Sequence, residues 1–222
     1  MNELNPSNKM TVEIWSDVLC PFCYIGKRKL EQALEKFPQT DQINIVWKSF
    51  QLDPSASNTG EPYKKHLAEK KGWSEAQTQQ MFEHVRSMAA GVGLEYDFEK
   101  TITANSFDAH QLLHLALKHG NQDAAKEALL RAHFTEGKNI GDLNTLISIG
   151  TDLGLDADEV RKTLENQTFA DEVALDIETA RQFQITGVPY FLFDRKYAIS
   201  GAQDSAVFLQ TLEKAYEEKA AQ

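Results

Sequence analysis

The sequence predicts an α/β fold in which a β-α-β opening and a β-β-α close are separated by a large all-helical insertion. Three observations carry that prediction. Runs with strand character occur only near the two ends, at Thr11–Trp15, Ile43–Leu52 and Pro189–Ser200. Between them, residues 62–183 carry helical periodicity and no convincing strand. The only two cysteines of the 222-residue chain, Cys20 and Cys23, fall where the first strand gives way to the first helix.

Met1 to Lys9 is polar and reads as a loose leader. Thr11 to Trp15 is β-rich and reads as a buried strand. Cys23, Leu30, Leu34 and Phe37 then recur at helical spacing, and Pro38 stops the run. In the second strand, Ile43, Ile45 and Trp47 share one face, and Val46, Phe50 and Leu52 the other. Apolar residues on both faces predict a central strand. The β, α, β order favours parallel pairing through a right-handed crossover. Asp53 to Glu61, polar and carrying Pro and Gly, reads as a domain junction.

The helical block opens with Pro62 to Lys71, short and mixed. Ser74 starts a helix with Gln77 completing a capping box and Met81, Val85 and Met88 on one face. Ser106 starts another, with Leu112, Leu113 and Ala116 inside and Gly120 at its end. Asp123 to Phe134 is rich in Ala and Leu; Asp142 starts a run through Ile149; Asp156 or Asp158 starts one ending near Leu164; Asp171 to Phe183 closes the block. Pro189 to Phe193, the turn Asp194-Arg195-Lys196 and Tyr197 to Ser200 form a hairpin. Asp204 or Ser205 caps a last helix, whose tail from Glu217 to Gln222 is predicted to fray. Residues 10–60 and 184–222 are assigned to one discontinuous domain, and 61–183 to a helical insertion domain. The outer pieces must meet for the sheet to exist.

Composition narrows the function classes. With 41% hydrophobic and 25% charged residues, the chain can build a sizeable core and needs no disulfide as a staple. A net charge of −10 argues against a nucleic-acid partner, since that affinity comes largely from Lys and Arg on phosphate. No run approaches the ~20 apolar residues of a membrane span, and the first nine residues lack an apolar signal region. The expectation is a cytoplasmic protein with no membrane partner. There a lone cysteine pair is more often catalytic than structural. Asn166-Gln167-Thr168 matches a glycosylation sequon and is given no weight.

Cys20-Pro21-Phe22-Cys23 at a helix start is chemically specific. Unpaired N–H groups and the positive helix end favour thiolate over thiol, and the thiolate is the nucleophile. Pro21 suits the first helical position. Cys23, one turn further in, is placed to attack a mixed disulfide on Cys20. Half a zinc site is the rival reading, but no second C-x-x-C or Cys-His pair supplies the other half. Two inert core cysteines are the other rival. The reading is a dithiol–disulfide redox pair, Cys20 attacking and Cys23 resolving, with no metal and no cofactor.

These residues resemble a known family. The β-α-β opening with C-P-F-C, and Gly187-Val188-Pro189 before a hairpin and terminal helix, resemble the thioredoxin fold; the long helical block resembles the DsbA arrangement. Ser16-Asp17-x-x-Cys20-Pro21-Phe22-Cys23-Tyr24-Ile25-Gly26, Asn105-x-x-x-Ala109-His110-x-Leu112, Phe134-x-Glu136-Gly137-x-x-Ile140 and Ser200-Gly201-Ala202-Gln203 resemble its FrnE-like branch. The resemblance implies a thioredoxin-like fold with a helical insertion, and a cis peptide before Pro189 facing the cysteines. A Pro at the start of an edge-facing strand leaves the backbone of Val188 free to pair with an extended substrate. Pro21, Phe22, Val188 and Pro189 are therefore the expected substrate-binding residues.

Other candidates carry two readings each. Asp17 could tune the thiols or cap the turn, and Glu13 reads as a strand-face charge. His110 and His114 stand at helical spacing that can hold zinc, but without the Glu of a metalloprotease; His110 is instead a candidate to steady the Cys20 thiolate. Trp15, Phe22, Tyr24 and Tyr190 could rim the site, with Phe22 the best candidate for exposure. Lys27 and Arg28 add positive charge near Cys20 or form a solvated helix face.

The leading expectation is a thiol–disulfide oxidoreductase acting on protein or peptide thiols, with glutathione as a further partner. The alternatives are a glutathione-dependent transferase or isomerase of kappa-like type, whose relatives carry Ser at the nucleophile position, and a peptide-binding chaperone.

Overall fold

Residues 9–221 are described by a computed structural model of the chain; the expected leader before Lys9 and the last residue of the tail lie outside them. Strand β1 (Met10–Ser16) carries Met10, Val12 and Ile14 on one face and Trp15 on the other, and is buried along nearly its whole length. It runs into helix α1 (Pro21–Leu34), and the chain returns as β2 (Ile43–Ser49). β2 pairs parallel with β1, from Met10 against Ile43 to Ser16 against Ser49. Strands β3 (Tyr190–Phe193) and β4 (Tyr197–Ser200) form an antiparallel hairpin, and β3 lies antiparallel against β1. The sheet order is β2-β1-β3-β4.

Two sequence expectations are corrected by that order. β2 is an edge strand, and β3, expected to face an edge, is internal. The apolar residues on both faces of β2 have a different origin. Trp47, Ile43 and Ile45 pack with Leu30 of α1, with Phe37 just beyond it and with Phe208, whereas Phe50, just past β2, packs on the other side in a cluster with Trp15, Leu192 and the helical Ala180. Double-sided cover comes from helices, not from a second neighbouring strand.

Between the β pieces lie α2 (Tyr63–Lys71), α3 (Glu75–Ala90), α4 (Phe107–Lys118), α5 (Gln122–Phe134), α6 (Leu143–Asp152), α7 (Ala157–Glu165) and α8 (Ala170–Gln182). Their starts follow local chemistry. Ser74 and Gln77 form a reciprocal capping box, and Asp142 and Asp156 accept from the amides of Thr145 and Glu159, each at 2.8 Å. Asp204 precedes α9 (Ser205–Ala220) without a capping bond; its carboxylate takes Lys29 at 3.0 Å instead. α9 continues through Ala220 rather than fraying from Glu217. Tyr216 packs edge-on to Phe37, and Lys219 reaches Asp194 at 2.9 Å, so its last turns have tertiary partners.

One apolar cluster joins the sheet to α1 and α9. A second fills α4 to α7 and takes in Val18 and Leu19. A third joins Tyr24 and Ile25 of α1 to Phe82, Phe98, Leu130 and Phe134. α1 is thus gripped from both sides.

Candidate active site

The turn leading into α1 is fastened by Asp17. This buried carboxylate accepts the Leu19 N–H at 3.2 Å and the Leu52 N–H at 2.7 Å. It therefore ties the end of β1 to the segment after β2. Cys20 is the residue before the helix, extended in backbone, and its N–H donates to the Asp17 carbonyl at 3.2 Å. Pro21 opens the helix, and the Cys23 N–H donates to the Cys20 carbonyl at 3.0 Å. Both cysteines are free thiols.

The far end of the chain completes this corner. The Val188–Pro189 peptide is cis. The Cys20 thiol donates to the Val188 carbonyl at 3.5 Å. That carbonyl, expected to be free for a substrate strand, is therefore occupied by the thiol itself. Gly26 makes the approach possible: a Cβ there would stand 3.0 Å from Pro189 Cγ and 3.1 Å from Phe191 Cζ.

The two sulfurs differ in access. Cys20 lines a cavity of about 180 Å³, with Phe22, Leu52, Tyr63, Trp73 and Met81 among its walls; Cys23 is absent from it and fully buried. Their acid–base behaviour is joint. When Cys23 is ionised, the Cys20 S–H turns from the Val188 carbonyl to that sulfur, and this bond, reinforced by burial, pushes the Cys20 thiol well above the ordinary value. Burial pushes Cys23 up too, but the bond from Cys20, the Lys126 ammonium, Ser16 and the Asp17 backbone together bring it below. As a unit the pair gives up one proton readily and the second reluctantly, and burial with the bond to Cys23 sets aside the expectation that the helix start alone favours a Cys20 thiolate.

The remaining candidates scatter. His110 is fully buried with Nε2 3.5 Å from Asp17 Oδ1, too long and poorly aimed for a good hydrogen bond. Burial lowers its pKa despite that carboxylate, so it is not a standing positive charge beside Cys20. Burial would raise Asp17, but His110 and the two amides hold it below the usual carboxylate range. His114 turns to Asp176 and Ser49, each at 3.2 Å. Glu13 holds Arg195 through both oxygens, at 2.8 and 3.0 Å, away from the cysteines. Lys27 and Arg28 are not a solvated face: Lys27 is buried among Glu31, Asp123 and Glu127, and Arg28 pairs with Glu31 and Glu127, locking α1 to α5. Trp15 and Tyr24 are core residues, one donating to the Asp176 carbonyl and the other to Glu127. Tyr190 is half-buried against Trp15, which leaves Phe22 at the mouth. Two parts of the site were not among the candidates: Lys126, and the cavity wall from α2 and α3.

A strand–turn–helix with paired thiols, met by a cis X–Pro loop, matches a known family over most of the chain. The DSBA-like thioredoxin domain aligns with residues 11–213. The chain belongs to that family. Among solved structures, a probable DsbA oxidoreductase from Streptomyces coelicolor is 40% identical, with a TM-score of 0.89 over 94% of this chain and 91% of that one. YwbO, an uncharacterised protein of Bacillus subtilis, is 27% identical over 89% of this chain and 92% of its own length. The cytosolic disulfide reductase DsbM of Pseudomonas aeruginosa shares the fold at 15% identity and a TM-score of 0.62, covering 95% of this chain and 97% of its own. In this DSBA-like chain the fold is thioredoxin-like with a helical insertion, and the family is one of thiol–disulfide oxidoreductases.

Proposed function

We propose that this DSBA-like chain exchanges disulfides through Cys20 and Cys23, with Cys20 the sulfur that meets the substrate. The asymmetry of access carries the reading: Cys20 opens onto the cavity while Cys23 is sealed behind it. A substrate sulfur can reach only Cys20, and Cys23 lies one helical turn inward, where it can displace that substrate. Pro21, Phe22, Val188 and Pro189 frame the approach.

The cavity also bears on substrate class. Its walls are apolar and aromatic, and its volume of about 180 Å³ suits one large side chain. This favours polypeptides whose cysteine has an apolar neighbour. Glutathione is a second partner to consider, because DsbM has been solved with it. A fold shared with 2-hydroxychromene-2-carboxylate isomerase keeps a glutathione-dependent isomerase as the alternative. The C-P-F-C and Asn105–Leu112 motifs support the FrnE-like branch, and a cytoplasmic setting, as in the cytosolic DsbM that shares the fold, is part of this reading. Among the described residues, no helix is long and apolar enough to cross a membrane.

The test is turnover of a disulfide-bonded peptide by three proteins. Cys20→Ser should abolish it, and Cys23→Ser should accumulate a mixed disulfide on Cys20. Full-rate exchange by Cys20→Ser would sink the reading. Glutathione conjugation that survives Cys23→Ser would favour the isomerase class.

A further inference from the structure

Lys126 is the one charged side chain among the described residues that is wholly buried with no carboxylate in ion-pair reach. It projects from α5 toward the end of β1. Its Nζ donates to the Ser16 carbonyl at 3.3 Å and stands 5.4 Å from the Trp47 ring centroid. Neither neighbour is an anion. Removing an ammonium from water without a counter-ion costs several kcal/mol, so its place in the fold calls for an explanation.

The surroundings supply one. Burial lowers Lys126 to about 8; against it act the negative charges of Cys23 first, then Asp17 and Cys20, while Lys27 of α1 opposes them. His110 on α4 also feels Lys126, and burial lowers the pKa of that ring. Ser16 joins the two partners, with its carbonyl on Lys126 and its hydroxyl, which has no other partner, beside Cys23. Among the described residues, the anion near Lys126 that comes and goes with the reaction is a cysteine thiolate.

We propose that Lys126 is a positioning residue for the hidden half of the exchange, acting as counter-ion to the Cys23 thiolate while Cys20 is joined to substrate. This rests on the reading of Cys20 and Cys23 as the redox pair. When a substrate thiolate attacks Cys20 of the oxidised protein, a new sulfur–sulfur bond forms to Cys20. The Cys20–Cys23 bond breaks, and its electron pair leaves on Cys23. In the reducing direction, the Cys20 thiolate attacks a substrate disulfide, and one substrate sulfur leaves as thiolate and takes a proton from water. The Cys23 thiolate then attacks Cys20 and expels the second substrate sulfur. Lys126, although burial lowers it to about 8, stays above neutral pH and gives up its proton in neither step. It stabilises Cys23 as leaving group in one direction and keeps it ionised as nucleophile in the other.

Lys126→Met tests this, because Met fills similar volume and removes a buried charge, which favours folding. In a Cys20→Ser background, absorbance at 240 nm reports ionisation of Cys23 alone. The expected result is a Cys23 pKa below the ordinary thiol value with Lys126 present, and at least one unit higher with Met. With both cysteines intact, attack of a small thiol on the oxidised protein should slow about tenfold, since a poorer leaving group departs more slowly. An unchanged ionisation curve and unchanged rate in Lys126→Met would overturn the proposal. So would a Cys23 pKa at or above the ordinary value in Cys20→Ser alone, which needs no lysine variant. If the parent pair were not redox-active, the parent itself would show no exchange, and that failure is distinct from either outcome.

Discussion

At the residue scale, the site sits on a bed of buried polar groups whose titration is out of balance with the unfolded chain. His133 is the clearest case. Among the described residues both ring nitrogens lack a partner, its ring meets Tyr63 and Phe134 edge-on, and burial lowers its pKa from 6.5 to about 4. A group depressed in the folded state stabilises fully above its unfolded pKa and loses that contribution as pH falls through the folded one. His133 should therefore cost the fold on the order of 3 kcal/mol between pH 6.5 and 4. His110 acts with the same sign, and Asp17 and Asp176 add a further loss below the usual carboxylate pKa. Urea titrations should show a smaller acid loss for His133→Phe than for the parent over that window; equal losses would refute this assignment. The Cys pair was legible because its spacing and helix-start context are local. Lys126 and His133 were not, although a signal existed. Gln122, Ala125, Lys126, Leu129, Leu130 and His133 all lie on one buried helical face. A reading weighted by residue type places Lys outside, and only the docking of α5 against β1 and β2 reverses that.

At the element scale, β2 is an edge strand without an open edge. The Gln122 side chain accepts from the Trp47 N–H and donates to the Trp47 carbonyl, both at 2.9 Å. Asp176 accepts the Ser49 N–H and holds Lys48, also both at 2.9 Å. Two helices thus pair with a strand through side chains, which blocks the edge-to-edge association that bare strands invite. Gln122→Ala leaves a donor and an acceptor of Trp47 unmet, and should cost about 2–4 kcal/mol. Hydrogen exchange at the Trp47 amide should quicken more than at the β1 amides; parallel changes in both strands would count against the local account. The capped helix starts at Ser74, Asp142 and Asp156 were readable because capping chemistry is confined to a few residues. The place of β2 was not. Apolar faces tell how many sides of a strand are covered, and are silent about what covers them.

At the scale of the whole molecule, α1, the helix that opens on the cysteine motif, is the shared element. Its Leu30 and Ala33 belong to the sheet's core, while Tyr24 and Ile25 belong to the aromatic cluster of α3 and α5. The four-strand architecture with a helical insertion was legible because only the chain's outer pieces carry strands. The gripping of α1 from both sides was not, since it depends on which surfaces meet. Phe134 tests the coupling. It is fully buried and stacks on Tyr96 with ring centroids 5.0 Å apart. Phe134→Ala should cost about 3–5 kcal/mol. Unfolding followed by circular dichroism and by labelling of Cys23 should keep one shared midpoint, shifted down in both. Separate midpoints would mean that the helical block and the sheet melt independently.

The contact between the Cys20 thiol and the Val188 carbonyl joins positions 168 residues apart. Synthesis runs from Cys20 toward Val188, so a nascent chain carries its thiols without their fitted surroundings until the loop that meets them, and the strand that closes the second side of β1, have been made. The exchange proposed for Cys20 would wait on the docking of that segment, which ties its selectivity to a contact made long after the cysteines themselves.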